Sequence, residues 1–219
     1  MCCRFYMEMS PELRPIVEAA QNSRLYRDNI QRLAKSLTAA GEVFPDALVP
    51  VLASNKAGQK TVFPMIWGYH IPGVSRTVAN ARVETAAEKP LFKDGWAAHR
   101  CAVPASWYYE WEHTLTPSGK SRTGDKYAVM PKNGALTWLC GLYRIEDGFP
   151  HFVVLTREPG ESIAFIHDRM PFVLPETEID NWIDPQHNPH ILLDAALTDM
   201  VFEKDSPKKA ERTYEIAGA

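Results

Sequence analysis

Residues 46–54 read DALVPVLAS, and residues 60–69 read KTVFPMIWGY. Both are short apolar runs rich in β-branched and aromatic residues, punctuated by prolines. They read as strands or extended segments. Towards the N-terminus the period differs. Residues 25–40, LYRDNIQRLAKSLTAA, place Ile30, Leu33 and Leu37 on one helical stripe, which Gly41 ends. Residues 10–22, SPELRPIVEAAQN, read as a helix with Ser10 as N-cap and Pro11 at its first position. Towards the C-terminus extended blocks follow: TVANARVET (77–85), HRCAVPASWYYEWEH (99–113), KYAVM (126–130), ALTWLCGLY (135–143), HFVVLT (151–156) and PFVL (171–174), with a polar turn at PSGKSRTGD (117–125). A short helix is expected through GESIAFIH (160–167). C-terminal helices are expected at PETEIDNWID (175–184) and ILLDAAL (191–197), and a tail at about 203–219 that packs on the domain. Helices, then many strands, then helices make an α+β pattern rather than a βαβ alternation. The prolines point to a curved, barrel-like mixed sheet flanked by helices, in one domain over residues 1–219.

With 219 residues, 45% of them hydrophobic, the chain can bury a sizeable core. It has no apolar run long enough to span a bilayer and no signal-peptide start, so a cytoplasmic location without a membrane partner is expected. Cys2, Cys3, Cys101 and Cys140 are too few and too scattered for a disulfide framework, and no zinc spacing occurs among them. Cys101 and Cys140 sit in apolar segments as small buried hydrophobes. The net charge of -3 argues against indiscriminate nucleic-acid binding. It is unevenly placed: residues 176–219 carry ten acidic and four basic side chains. The mildly basic remainder can hold a small anionic ligand.

Four stretches concentrate reactive residue types: MCCRF (1–5), ANARVET (79–85), WYYEW (107–111) and IHDRMP (166–171). Once Met1 is removed, Cys2 carries an α-amine and a thiol on neighbouring atoms. The amine, with a reference pKa of roughly 7.7–8.0, is partly unprotonated at neutral pH. Such a pair condenses with aldehydes, first to a Schiff base and then to a five-membered thiazolidine. Glu110 lies among aromatics; if they desolvate it, its pKa rises toward values useful for acid–base work. Alternation also allows it the solvent face. His167 titrates near neutrality and can shuttle a proton, though a histidine at a helix end is also an ordinary cap. Adjacency makes Asp168 a partner for Arg169 rather than an orienter of His167. Asn80 both donates and accepts hydrogen bonds, and Arg82 shares its face if the stretch is extended.

Together with WGYHIP (67–72) and RCAVPASWYYEW (100–111), these stretches resemble the SRAP family of abasic-site processing proteins, across Cys2 to Leu174. The resemblance implies a protein that crosslinks covalently to abasic sites in single-stranded DNA. Cys2 is then the nucleophile, Glu110 and His167 manage protons, and Asn80 positions the lesion. No metal or organic cofactor is implied. It further implies autocatalytic release of the N-terminal extension and weak lyase chemistry. Arg4, Arg82 and Arg169 become candidates for gripping phosphates, with surface ion pairs as the alternative. Trp67 is a candidate for stacking on a base, with a place in the core as the alternative. A monomer is expected.

The sequence departs from the family in three places. Cys3 stands where glycine is usual, FPDALVPVLA (44–53) replaces an Asn-Ala-Pro stretch, and ERTYEIAGA (211–219) lacks a His-Pro-Val-Ser segment. Two readings from other classes stay open. One is an N-terminal-nucleophile amidohydrolase or cysteine peptidase, which needs an oxyanion hole. The other is a non-catalytic binder of single-stranded DNA.

Overall fold

The computed structural model describes residues 3–115, 121–132 and 134–205. Five strands close into a ring: β3 (Leu48–Ser54), β4 (Lys60–Trp67), β6 (Arg100–Ala105), β9 (Thr137–Glu146) and β10 (Phe149–Arg157). β4 pairs with β3, β3 with β6, β6 with β9 and β9 with β10, all antiparallel. β10 then closes the ring against β4 in parallel. The barrel-like mixed sheet read from the prolines is therefore present. Pro50 stands opposite Pro64, and Pro104 and Pro150 lie in the same wall. Each removes a ladder donor from the wall. At Gly141 the wall is so tight that a Cβ would collide with the Val153 carbonyl and press on the Cys101 sulfur. Cys101 and Cys140 are both buried. Short strands extend the wall: β5 (Asn80–Arg82) runs parallel to β10, β11 (Met170–Pro171) pairs with β10, and β12 (Val173–Leu174) pairs with β9.

A second sheet is antiparallel throughout. Among the described residues its order is β13 (Met200–Lys204), β8 (Ser121–Pro131), β7 (Trp107–Leu115), β1 (Arg4–Met7) and β2 (Gly41–Val43). Phe5 of β1 is fully buried and its ring lies 5.1 Å from that of Trp67 in the barrel wall. This contact carries the start of the chain onto the barrel. The tail expected from about residue 203 begins inside an edge strand, β13, with four of its five residues exposed; residues 206–219 of that tail lie outside the described residues.

The helices are shorter than the sequence implies. α1 (Leu13–Gln21) buries Leu13, Val17 and Ala20 against β3 and β4. Ser10 does accept a cap-like bond from Leu13 N–H at 3.2 Å, but residues 11–12 form a turn before the helix proper. α2 (Arg24–Leu33) stops well before Gly41, because Ala34 takes the left-handed conformation at φ 50°. Residues 83–85, expected to be extended, open α3 (Val83–Ala86). Two expected helices, at 160–167 and 191–197, are single 3-10 turns at Glu161–Ile163 and Pro189–Leu192. The 175–184 helix exists as a 3-10 turn running into α5 (Ile179–Ile183). α4 (Lys93–Ala98) caps the barrel. Buried Arg100 ties it to α5 by donating to the carbonyls of Trp96, Ala97, Trp182, Asp184 and His187. These carbonyl dipoles stand in for the counterion that a buried cation needs. No helix among the described residues is long and apolar enough to cross a membrane.

Candidate functional site

The register of β1 against β7 sets the site. Arg4 opposes Tyr109 and Phe5 opposes Tyr108. Continued by one residue, the ladder brings Cys3 opposite Glu110. The Glu110 carboxylate accordingly contributes to the Cys3 thiol's environment. Cys2 lies outside the described residues. Directly opposed residues of an antiparallel pair share a face. The face holding Glu110 therefore also holds Phe5, Tyr108 and Tyr127, which pairs with Glu110 across β7 and β8.

Glu110 is only 4% exposed. Desolvation among the aromatics pushes its pKa up to about 7, and the Asp168 carboxylate adds to that rise. The solvent-face alternative for Glu110 is thus excluded. The same Asp168 carboxylate contacts His167 at 2.7 Å. The ladder slips by one residue between Trp111 and His113, and His113 N–H donates to Ile166 O at 3.0 Å. That bond draws the 164–169 loop onto β7. The rings of His113 and His167 then lie 4.4 Å apart.

His167 is pushed down to about 4, first by desolvation. The ring is neutral at pH 7 and can take a proton. Its Nδ1 meets two opposed demands. Arg169 N–H, at 3.0 Å, wants a lone pair there, whereas the Asp168 carboxylate, at 2.7 Å, wants a proton. Neutral imidazole satisfies only one at a time, and protonation satisfies the carboxylate. Asp168 therefore partners His167 and not Arg169, contrary to the sequence expectation.

Two expected DNA contacts are corrected. Trp67 has no exposed surface, so it cannot stack on a base. Its Nε1–H donates to Ala79 O at 2.9 Å, and it stacks on Phe152. It holds the residue before Asn80 and acts from within the core. Arg169 is 8% exposed and forms a bidentate pair with Glu84, both contacts at 2.8 Å. It also donates to Thr156 O. Thr156 opposes Arg82 in the β5–β10 ladder. Arg169 is therefore a clamp that fixes the His167 loop to the corner bearing Asn80 and Arg82.

Asn80 is half-buried at the head of β5. Arg82 is exposed and in no ion pair among the described residues. Arg4 lies on the opposite sheet face from Glu110. It pairs with Glu42 at 3.2 Å and its guanidinium sits 4.6 Å from the Phe44 ring and 4.9 Å from the Trp111 ring. Lys126, which also contacts Glu42, covers Tyr109 on that same face.

Sequence reading missed an aromatic ledge beside Glu110. Tyr127, Phe165 and Phe202 pack edge-on with centroids 5.1–5.7 Å apart. Phe165 is 49% exposed and Phe202 40%. These residues come from three separate segments, so no local motif marks them.

Fold and site together define an α+β protein. A closed mixed barrel supports a second sheet that sets Cys3 near a buried carboxylate. The chain belongs to the SRAP family: it matches the family described as SOS response associated peptidase over residues 1–210. It is 34% identical over 113 residues to abasic site processing protein YoaM of Bacillus subtilis, a stretch covering 49% of this chain and 48% of YoaM. It is 28% identical over 142 residues to abasic site processing protein YedK of Escherichia coli, covering 61% and 60% of the two chains. The chain thus matches about half the length of the Bacillus relative. Among solved structures, a phage-related protein of Bordetella bronchiseptica superposes with a TM-score of 0.67 at 22% identity, covering 93% of each chain. A Bacteroides thetaiotaomicron protein gives 0.69 at 18% identity, covering 94% of this chain and 93% of that one. At these identities the structures share the fold.

Proposed function

We propose that this protein captures abasic sites in single-stranded DNA by forming a thiazolidine at Cys2. The observation that supports the reading is the β1–β7 register, which continued by one residue sets Cys3, the neighbour of Cys2, opposite a buried Glu110 with a pKa of about 7, on a strand to which the loop of neutral His167 also bonds. The ring-opened abasic sugar presents an aldehyde. The Cys2 amine adds to it and yields a carbinolamine. Protonated Glu110 delivers a proton as the hydroxyl leaves as water, and His167 accepts the proton that the amine gives up. The Cys2 thiol then adds across the resulting C=N bond, its proton passing to the nitrogen, and the five-membered ring closes. Asn80 holds the sugar and Arg82 a neighbouring phosphate. The same groups serve a peptidase step that frees the Cys2 amine and a weak strand-cleaving lyase step.

The amidohydrolase reading needs a pocket for a small substrate at the nucleophile. One apolar concavity, of about 520 Å³, is lined by Leu25, Phe63, Met65, Tyr143, Ile145 and Pro150, and so offers that reading no site at Glu110 or His167. Denaturing gel mobility with intact and abasic oligonucleotides tests the proposal. Native protein should form a heat-resistant adduct with abasic DNA alone. Cys2→Ala should form none while still binding DNA reversibly, and Cys2→Ser should give only a transient imine. An adduct of undiminished yield from Cys2→Ala would sink the mechanism.

A further inference from the structure

Away from the Glu110 site, three side chains converge where β4 exits the barrel. They are His70, just past β4, Glu146 at the end of β9, and His151 on β10. One donor atom from each lies within 4.8 Å of the others. His70 Nδ1 is 3.2 Å from Glu146 Oε2, and His151 Nδ1 is 3.5 Å from the same oxygen. A tetrahedral ion with bonds near 2.0–2.1 Å has ligand-to-ligand edges of about 3.3–3.4 Å. We propose that His70, Glu146 and His151 form a binding site for a borderline divalent ion, zinc above all, that staples the β4 exit loop to the β9–β10 hairpin.

The surroundings suit ligation. His70 Nε2 faces Asp46 Oδ1 at 3.5 Å. A carboxylate on the far nitrogen is the outer-shell arrangement that leaves Nδ1 to ligate. Arg144 donates to Glu146 Oε1 at 2.7 Å, which fixes the carboxylate and leaves Oε2 turned toward both imidazoles. His151 Nδ1 contacts Gly68 O at 2.9 Å. Ligation requires that ring to carry its proton on Nε2. The Gly68 carbonyl is then released beside the ion as a fourth donor, with water as the alternative. Two nitrogens and hard oxygens, with no thiolate, suit zinc, cobalt(II) or nickel(II) better than copper(I) or calcium. The staple has a structural use. Residues 68–79 lead directly to Asn80, and Trp67 already anchors the far end of that segment at Ala79.

The test uses untagged full-length protein, stripped with chelator and titrated with cobalt(II) and zinc. Cobalt should give the visible bands of a tetrahedral nitrogen–oxygen site, at one equivalent, without an intense thiolate charge-transfer band. Zinc at a hundredfold excess over its dissociation constant should raise the melting temperature by roughly 5–10 °C. His70→Gln and His151→Gln should each weaken zinc at least about tenfold and, at the same zinc concentration, cut the thermal shift to about half or less. His70 is exposed, so its variant keeps the test alive should the His151 variant fail to fold. A thiolate band, which would place the ion on Cys2 or Cys3, overturns the proposal. So does zinc affinity that His70→Gln leaves unchanged, or no zinc binding by native protein at millimolar concentration.

Discussion

Glu110 is held in its site at a cost that pH can reveal. Its folded pKa of about 7 stands above its ordinary 4.5. Between those values the folded state binds more protons than the unfolded one, so stability falls as pH rises through this window and stays lowered above it. The shift corresponds to at most about 3 kcal/mol. Glu110→Gln removes the ionisable group while keeping its shape. It should therefore stabilise the protein by about 1–3 kcal/mol at pH 8 and by almost nothing near pH 4. Denaturant unfolding at both pH values checks this, and equal effects at the two would mean that the carboxylate is not desolvated. The same variant should slow adduct formation, since an amide is far too weak an acid to protonate the leaving hydroxyl. Cys3 belongs to the same microenvironment. Its side chain is exposed, yet protein atoms crowd the thiol from one side; that desolvation, with the Glu110 charge adding to it, pushes its pKa up. Cys3 stays a thiol at neutral pH, and under the proposed mechanism it competes poorly with Cys2 for the aldehyde. Cys3→Gly should accordingly leave the rate of adduct formation within about twofold of native, read from adduct yield against time.

Elements, rather than single residues, bring the site's parts together, and here sequence reading met its limit. The barrel strands were legible because each is a short, dense apolar run bounded by turn residues. Glu110, His167 and Asn80 stood out because each sits in a compact motif. Trp67 and Arg169 looked like DNA contacts for the same reason, but their partners are remote. Arg169 and Glu84 are 85 residues apart, and the Ala79 carbonyl that Trp67 holds has no side-chain signature. The β13 edge and the left-handed end of α2 were hidden for a related reason: charge and tertiary context overrode local pattern. The role assigned to Arg169 is open to a direct test. As a buried clamp, Arg169→Ala should cost about 2–3 kcal/mol of stability, with Glu84→Gln costing less and the pair non-additive. Arg169→Lys, which keeps the charge but not the bidentate geometry, should recover only part of the loss. An Arg169→Ala protein of native stability whose one defect is weak DNA binding would restore the phosphate-gripping role.

At the scale of the whole molecule, the proposed function asks charge and aromatic surface to share the work of holding DNA. The net charge of -3 supplies no general attraction for a polyanion. Arg169 is occupied by Glu84 and Arg4 by Glu42, which leaves Arg82 as the exposed arginine at the corner beside Asn80. Few phosphates can then be neutralised. Each contributes roughly 0.7 to the log–log salt dependence for a single strand, so the slope should be shallow, about -1 to -2. On that reading binding draws on stacking as well, and the Phe165–Phe202 ledge beside Glu110 offers the exposed rings. Stacking of a base on an aromatic side chain contributes about 1–3 kcal/mol and responds little to salt. Phe165→Ala and Phe202→Ala should therefore each weaken binding of an unmodified single strand by about fivefold or more with the slope unchanged. Arg82→Ala should instead flatten the slope by about 0.7. Both are read by fluorescence anisotropy across a salt series, using Cys2→Ala protein so that no covalent step contributes. A steep slope that Arg82→Ala leaves intact would locate the phosphate grip elsewhere on the chain. Phe variants that bind like the parent would show that the ledge faces solvent and not the strand.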